Sequence, residues 1–174
     1  IAPCTRQGIE IDVAQGPVSR PYVDITLDCL ARFGVDSERR GYEWFHVAGG
    51  QRYRAGVYAV EPDCSQASYF WAAAAVTGST VTVKGISADS RQGDIRLLDV
   101  LSQMGCRVAK TAAGVAVSGA DLSAVDVDMS DMPDVVPTLA VVAAFARGKT
   151  LMHNVSHLRE KESDRLAVVT SELN

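Results

Sequence analysis

Seventy residues separate Asp24 from Asp94, and seventy more separate Asp94 from Asp164. The first two open the matching tetrapeptides Asp24-Ile-Thr-Leu27 and Asp94-Ile-Arg-Leu97. A second pair keeps nearly the same spacing: Ser65-Gln-Ala-Ser-Tyr-Phe-Trp-Ala-Ala-Ala-Ala-Val-Thr-Gly78 aligns with the fourteen residues from Asp134 to Arg147 at an offset of 69. A fixed offset marks a supersecondary unit used more than once. The repeated Asp then reads as a helix N-cap at Asp24 and Asp94, a role worth about 1 kcal/mol.

Periodicity fills in the unit. Residues 5 to 15 alternate with strand period and break at Gly16-Pro17. Val23, Leu27 and Leu30 share a helical face that stops at Gly34, and a strand is expected from Tyr42 to Val47. The pattern restarts with a short strand from Tyr58 to Val60, a helix from about Gln66 to Val76 and a strand from Thr80 to Lys84. A helix from Ile95 to Met104 and two strands, Arg107 to Ala109 and Gly114 to Ser118, complete the order β-α-β-α-β-β. Ser65, Gln66 and Ser68 read as helix-start residues.

Bulk properties exclude several classes. A net charge of -4 with interspersed signs argues against a nucleic-acid surface, so a phosphate-bearing partner should be small. Cys4, Cys29, Cys64 and Cys106 have no zinc-ligand spacing and read as reduced thiols of a cytoplasmic protein. The longest apolar run, Leu139 to Ala146, is too short to span a bilayer. Opening on Ile1 and closing at Asn174 within a helix, the chain reads as a piece of something longer.

Two stretches carry more charge than a core needs. From His157 to Arg165 runs His157-Leu-Arg-Glu-Lys161-Glu162-Ser-Asp164-Arg165, leading from a strand at Leu151 to Val155 into a helix from Leu166 with Ser163 or Asp164 as its cap. Spacing alone favours a solvated helix start, since Lys161 and Arg165 are i,i+4 and Glu162 and Arg165 are i,i+3. The second stretch is Asp126-Val-Asp128-Met-Ser-Asp131-Met-Pro-Asp134. It fails as a calcium loop, with Asp131 where Gly is required and Pro137 where Glu is required, and no metal is expected. Spacing alone favours Asp134 as a cap for the helix containing Pro137.

A resemblance changes the balance. His157-Leu-Arg-Glu-Lys-Glu-Ser-Asp-Arg-Leu166 is similar to the signature of the 5-enolpyruvylshikimate-3-phosphate synthase family, and Lys161 to Arg165 match its Lys-Glu-[Ser/Thr]-Asp-Arg run at every place. Asp-Met-Pro-Asp134 resembles the segment whose last Asp meets the shikimate hydroxyls. Ser19-Arg20-Pro-Tyr22 resembles the segment at the sugar phosphate.

The resemblance implies an α/β fold of repeated β-α-β-α-β-β units, incomplete at both ends. Residues 1-57 would end one enolpyruvyl transferase domain, and 58-174 would make a large part of the other. It implies transfer of the enolpyruvyl group of phosphoenolpyruvate to the 5-hydroxyl of shikimate 3-phosphate, without a cofactor. Asp134 and Glu162 would be the acid-base pair, and Ser19, Arg20, Tyr22, His157, Lys161 and Arg165 would bind substrate. Other family segments, including Asn-Ala-Gly-Thr and Asp-His-Arg, are absent, so the chain alone should be inactive without the remainder of the parent enzyme. Rival readings are the sister transferase acting on UDP-N-acetylglucosamine, which normally uses a loop Cys, and a non-catalytic phosphometabolite-binding domain.

Overall fold

A computed structural model of the chain describes residues 1–87 and 89–174. It divides into two compact units, Ile1–Val60 and Glu61–Asn174.

In the first unit, β1 (Ile9–Asp12), α1 (Arg20–Arg32), β2 (Glu38–Arg40) and β3 (Trp44–Val47) form an antiparallel sheet in the order β1-β3-β2, with α1 as the crossover. Val35, Phe45 and Val47 are its buried apolar side chains. Gly34 follows α1 at φ +76°, a left-handed conformation that stops the helix as expected. β2 went unforeseen because Glu-Arg-Arg offers no apolar alternation; it pairs on an exposed edge where charge is tolerated.

The second unit opens with α2 (Cys64–Thr77), β4 (Thr80–Lys84), α3 (Leu97–Gln103), β5 (Arg107–Thr111) and β6 (Gly114–Ser118). Its sheet has the order β4-β6-β5, again antiparallel. The repeat is thus visible as topology. Adding 71 to both members of the Ile9 and Val47 pair gives Thr80 and Ser118, which are also paired. Val115 and Val117 of the central strand meet Trp71 of α2 and Leu97, Leu98 and Leu101 of α3 in one core. A next copy begins with β7 (Asp126–Asp128), α4 (Val136–Ala144), β8 (Leu151–His153) and α5 (Arg165–Glu172). β7 and β8 run parallel, joined through α4, as a β-α-β connection requires.

Several local expectations are corrected. Residues 58–60 form no strand; the whole stretch 51–63 is irregular. Asp24 lies inside α1, where its carboxylate accepts from Tyr42 Oη at 2.6 Å and pairs with Arg39. Asp94 lies in a 3₁₀ turn, Gly93–Arg96, and receives the Ser65 hydroxyl. Only Asp164 of the three caps a helix, accepting from the Ala167 N–H at 3.0 Å. The cap of α2 is Asp63, two residues before Ser65, the first of the expected helix-start residues. Asp134 is not the N-cap residue of α4, which is Val135; it sits in the 3₁₀ turn Pro133–Val135 ahead of that helix. The repeat therefore preserved the position of each Asp while its partner changed.

Gly114 opens β6 at φ +136°, where an added Cβ would fall 2.1 Å from the Val83 carbonyl oxygen. Gly114→Ala should cost more than about 3 kcal/mol, because backbone must move in addition to the strain of the dihedral. Gly78→Ala is the control: φ is +68° but nothing lies within 4 Å, so only about 1 kcal/mol is expected. Urea unfolding of both variants, with equal losses as the contrary outcome, decides it.

Candidate functional site: two acids on one guanidinium

The charged run is not the start of a helix. Residues Ser156–Glu160 form a 3₁₀ turn pegged into the core by Leu158, which is fully buried, and α5 begins only at Arg165. Lys161 is extended, so it and Arg165 do not stand one turn apart on a helix face. What the turn does instead is aim Arg165 back across the unit at the Pro133–Val135 turn. Arg165 Nη1 donates to Asp134 Oδ1 at 2.8 Å. On its other side, Arg165 Nη2 and Nε donate to Glu162 Oε2 at 2.7 and 3.1 Å. Lys161 Nζ lies 3.6 Å from the same Asp134 oxygen.

Four of the residues singled out in the sequence are therefore joined: Asp134, Lys161, Glu162 and Arg165. Their exposure is unequal. The Arg165, Asp134 and Lys161 side chains are 23, 26 and 31% exposed, whereas Glu162 is 77% exposed. One acid is thus held partly out of water between two cations, and the other faces solvent. Behind Arg165, a hollow of about 160 Å³ is lined by Val136, Ala140, Met152, Val155, Leu158 and Leu166, giving the guanidinium an apolar backing. His157 stands apart from this set in the 3₁₀ turn, with its Nε2 buried and without a hydrogen-bond partner among the described residues.

The other acids of the second stretch have structural partners. Asp126 meets His153 Nε2 at 2.6 Å, Asp128 accepts from Asn154 Nδ2 and the Ser130 N–H at 2.8 Å each, and Asp131 pairs with Arg96 at 2.8 Å. Ser19, Arg20 and Tyr22 belong to the first unit, at the start of α1. Ser19 occupies the N-cap position in the left-handed conformation, φ 59° and ψ 44°, without a side-chain cap. Holding a non-glycine residue there costs of order 1 kcal/mol, and such strain gathers at ligand sites. The Arg20 guanidinium lies 5.1 Å from the Tyr42 ring centroid and lines a hollow of about 660 Å³ with Asp12, Ala14, Gly16, Tyr42 and Glu43. Tyr22 is 42% exposed.

Sequence reasoning missed one supporting residue. Gln92 Nε2 donates to the Pro62 carbonyl and its Oε1 accepts from the Cys64 N–H, both at 2.8 Å, clamping the entry to α2. No local pattern announces such a bond across 28 residues.

Duplicated sheets of one order, and a third β-α-β start carrying the charged turn, define an α/β protein built by repetition. The family model for EPSP synthase (3-phosphoshikimate 1-carboxyvinyltransferase) matches residues 1–174, so the chain belongs to that family. A 3-phosphoshikimate 1-carboxyvinyltransferase of Syntrophobacter fumaroxidans is 47% identical over 173 residues, covering 99% of this chain and 41% of the relative. One from Nostoc sp. is 45% identical, with 99% and 41% covered. An EPSP synthase structure from Acinetobacter baumannii matches at a TM-score of 0.70 and 26% identity, over 93% of this chain and 38% of that one. The enolpyruvyl transferase NikO from Streptomyces tendae shares the fold at a TM-score of 0.65 and 23% identity, covering 92% and 40%. The chain thus spans about 40% of the length of its curated relatives.

Its own backbone N–H, then the hydrogen bond and charge of Arg165, hold the Glu162 carboxyl below its ordinary value of 4.5. Being easier to ionise folded than unfolded, Glu162 adds stability above about pH 4.5, and that contribution disappears as the pH falls through its folded value. Arg165→Ala should move the Glu162 titration upward, read from carboxyl-carbon NMR shifts. Asp164, held low chiefly by the Ala167 N–H, should remain low and serves as the internal control. An unmoved Glu162 would assign its depression to the backbone alone.

Proposed function

We propose that the chain is part of an enzyme that moves the enolpyruvyl group of phosphoenolpyruvate onto the 5-hydroxyl of shikimate 3-phosphate, releasing phosphate. The observation that carries this reading is Arg165 held between Asp134 and Glu162, with Lys161 alongside. Two acids with unlike surroundings suit a reaction that must take one proton and give another.

In this reading Asp134 accepts the hydroxyl proton as the substrate oxygen bonds to the enol carbon. The double-bond electrons take a proton from Glu162 at the methylene. Phosphate then leaves with its bridging oxygen and takes the proton from Asp134, while the Glu162 carboxylate takes back a methyl proton and restores the double bond. Glu162 is an anion while Arg165 holds it, which makes it a poor donor. An incoming carboxylate that takes over the planar guanidinium frees Glu162, raises its affinity for a proton, and leaves it exposed enough to collect one from water. Lys161 stays beside Asp134 to balance the charge.

His157 Nε2, buried and unpartnered, has the donor capacity a phosphate oxygen requires. Ser19, Arg20 and Tyr22 are assigned to the sugar phosphate, supported by the strained Ser19 backbone and the presence of a cation. Residues 1-57 are assigned to the end of one domain and 58-174 to the other. No cofactor or metal enters the scheme. No described helix is long and apolar enough to cross a membrane, and the four cysteines are free, which suits a cytoplasmic setting.

The sister transferase that uses a loop cysteine fits less well. Burial pushes the Cys64 thiol up to about 11 and raises Cys106 as well, the reverse of what a nucleophile needs.

In a full-length family enzyme carrying this sequence, Asp134→Asn should lower kcat by about 10² to 10⁴ with little change in KM. The 174-residue chain alone should release no phosphate from the two substrates. Undiminished kcat in the variant, or enzyme-rate turnover by the chain alone, would contradict the scheme.

A further inference from the structure

Among the described residues the buried polar or charged side chains are Ser68, Asp94 and Thr138, at 0, 2 and 5% exposure. They are not scattered. The Ser65 hydroxyl donates to Asp94 Oδ2. The Ser68 hydroxyl donates to the Ser65 carbonyl at 2.6 Å and lies 3.1 Å from Thr138 Oγ1. One line of contacts therefore runs from the Gly93–Arg96 turn through the start of α2 into α4. A buried polar group left without a partner costs about 1–3 kcal/mol, and an apolar core of the same shape would hold these elements equally well. What the polar line adds is a fixed register.

That register governs one place. Thr138 stands four residues after Asp134, one turn along. On the other side Arg96, two residues beyond Asp94, donates to Asp131 Oδ2 at 2.8 Å, three residues before Asp134. The Gly93–Arg96 turn thus grips the segment 131–138 at both ends, with Asp134 between the grips. Neither grip uses the carboxylate that pairs with Arg165 and Lys161.

We propose that Asp94 is a positioning residue for Asp134, acting through Ser65, Ser68 and Thr138, with the Arg96 to Asp131 ion pair as the second support. The proposal rests on the reading of Asp134 as the proton acceptor. Proton transfer in the transition state demands heavy-atom placement to within a fraction of an ångström, so a slackened Pro133–Val135 turn should harm the chemical step more than binding.

The test uses Thr138→Val, Thr138→Ser and Asp94→Asn in a full-length family enzyme carrying this sequence. Thr138→Val and Asp94→Asn should each lower kcat by about tenfold or more with both KM values within about twofold, and Thr138→Ser should restore most of the loss. The guanidinium 15N–1H spectrum gives a second readout. The Arg165 Nη1 signal, which reports on Asp134, should change in Thr138→Val, while the Nε signal, which reports on Glu162, should not. If Thr138→Val does not fold, the double change Arg96→Met with Asp131→Asn supplies the same kcat readout. Variants that melt earlier but keep kcat and the Nη1 signal would overturn the proposal and leave the network a purely structural one. A normal kcat in Asp134→Asn would instead overturn the role of Asp134, while the Nη1 signal would still report whether Asp94 positions it.

Discussion

Asp134 and Glu162 are carboxylates that one guanidinium holds side by side. Two like charges in adjoining places repel, and a cation between them converts that repulsion into a joint attraction. Everything around Arg165 serves its aim. Leu158 is driven into the core and fixes the 3₁₀ turn, Asp164 closes the next turn by capping α5, and Arg165 lies against a largely apolar hollow. The unequal exposure of the two acids then follows from chain direction. Asp134 comes from the packed start of α4, and Glu162 from the loop that carries Arg165 itself.

The fold that presents this arrangement is a repeat, and repetition explains both its economy and its variation. The two sheets share strand order, and the β1–β3 register recurs in β4–β6, because the backbone plan was duplicated. Side chains were free to diverge on that plan. Of three Asp residues at one spacing, Asp24 holds Tyr42 and Arg39, Asp94 receives Ser65, and Asp164 caps a helix. A short acid in or near the first turns of a helix is useful in each copy, but its use is decided by what the neighbouring strand or helix happens to offer.

That divergence marks the limit of what the sequence discloses. Periodicity located β4, β6, α1 and α2 to within a few residues, because the first three turn their apolar side chains to one face and their polar ones to the other. It invented a strand at 58–60 and overlooked β2, since a short run of any composition takes its structure from its partner strand. Spacing favoured a solvated helix for Lys161 to Arg165 and a cap for Asp134. Both readings were local, and the contact that matters joins residues 31 apart in the chain. Motif similarity recovered those residues where spacing did not. The left-handed Ser19 and the Gln92 clamp escaped every sequence signal, being properties of backbone shape and of a distant carbonyl.

Cys64 carries a consequence of its own. Its side chain is fully sheltered at the first residue of α2, where Asp63 and Gln92 pin the backbone and the thiol is reluctant to ionise. An alkylating reagent reaches that sulfur only after the helix end has unravelled, so the speed of labelling clocks a rare local event at one spot of the molecule. The chain thus contains its own timer for fraying at the threshold of its larger unit, with no added cysteine required.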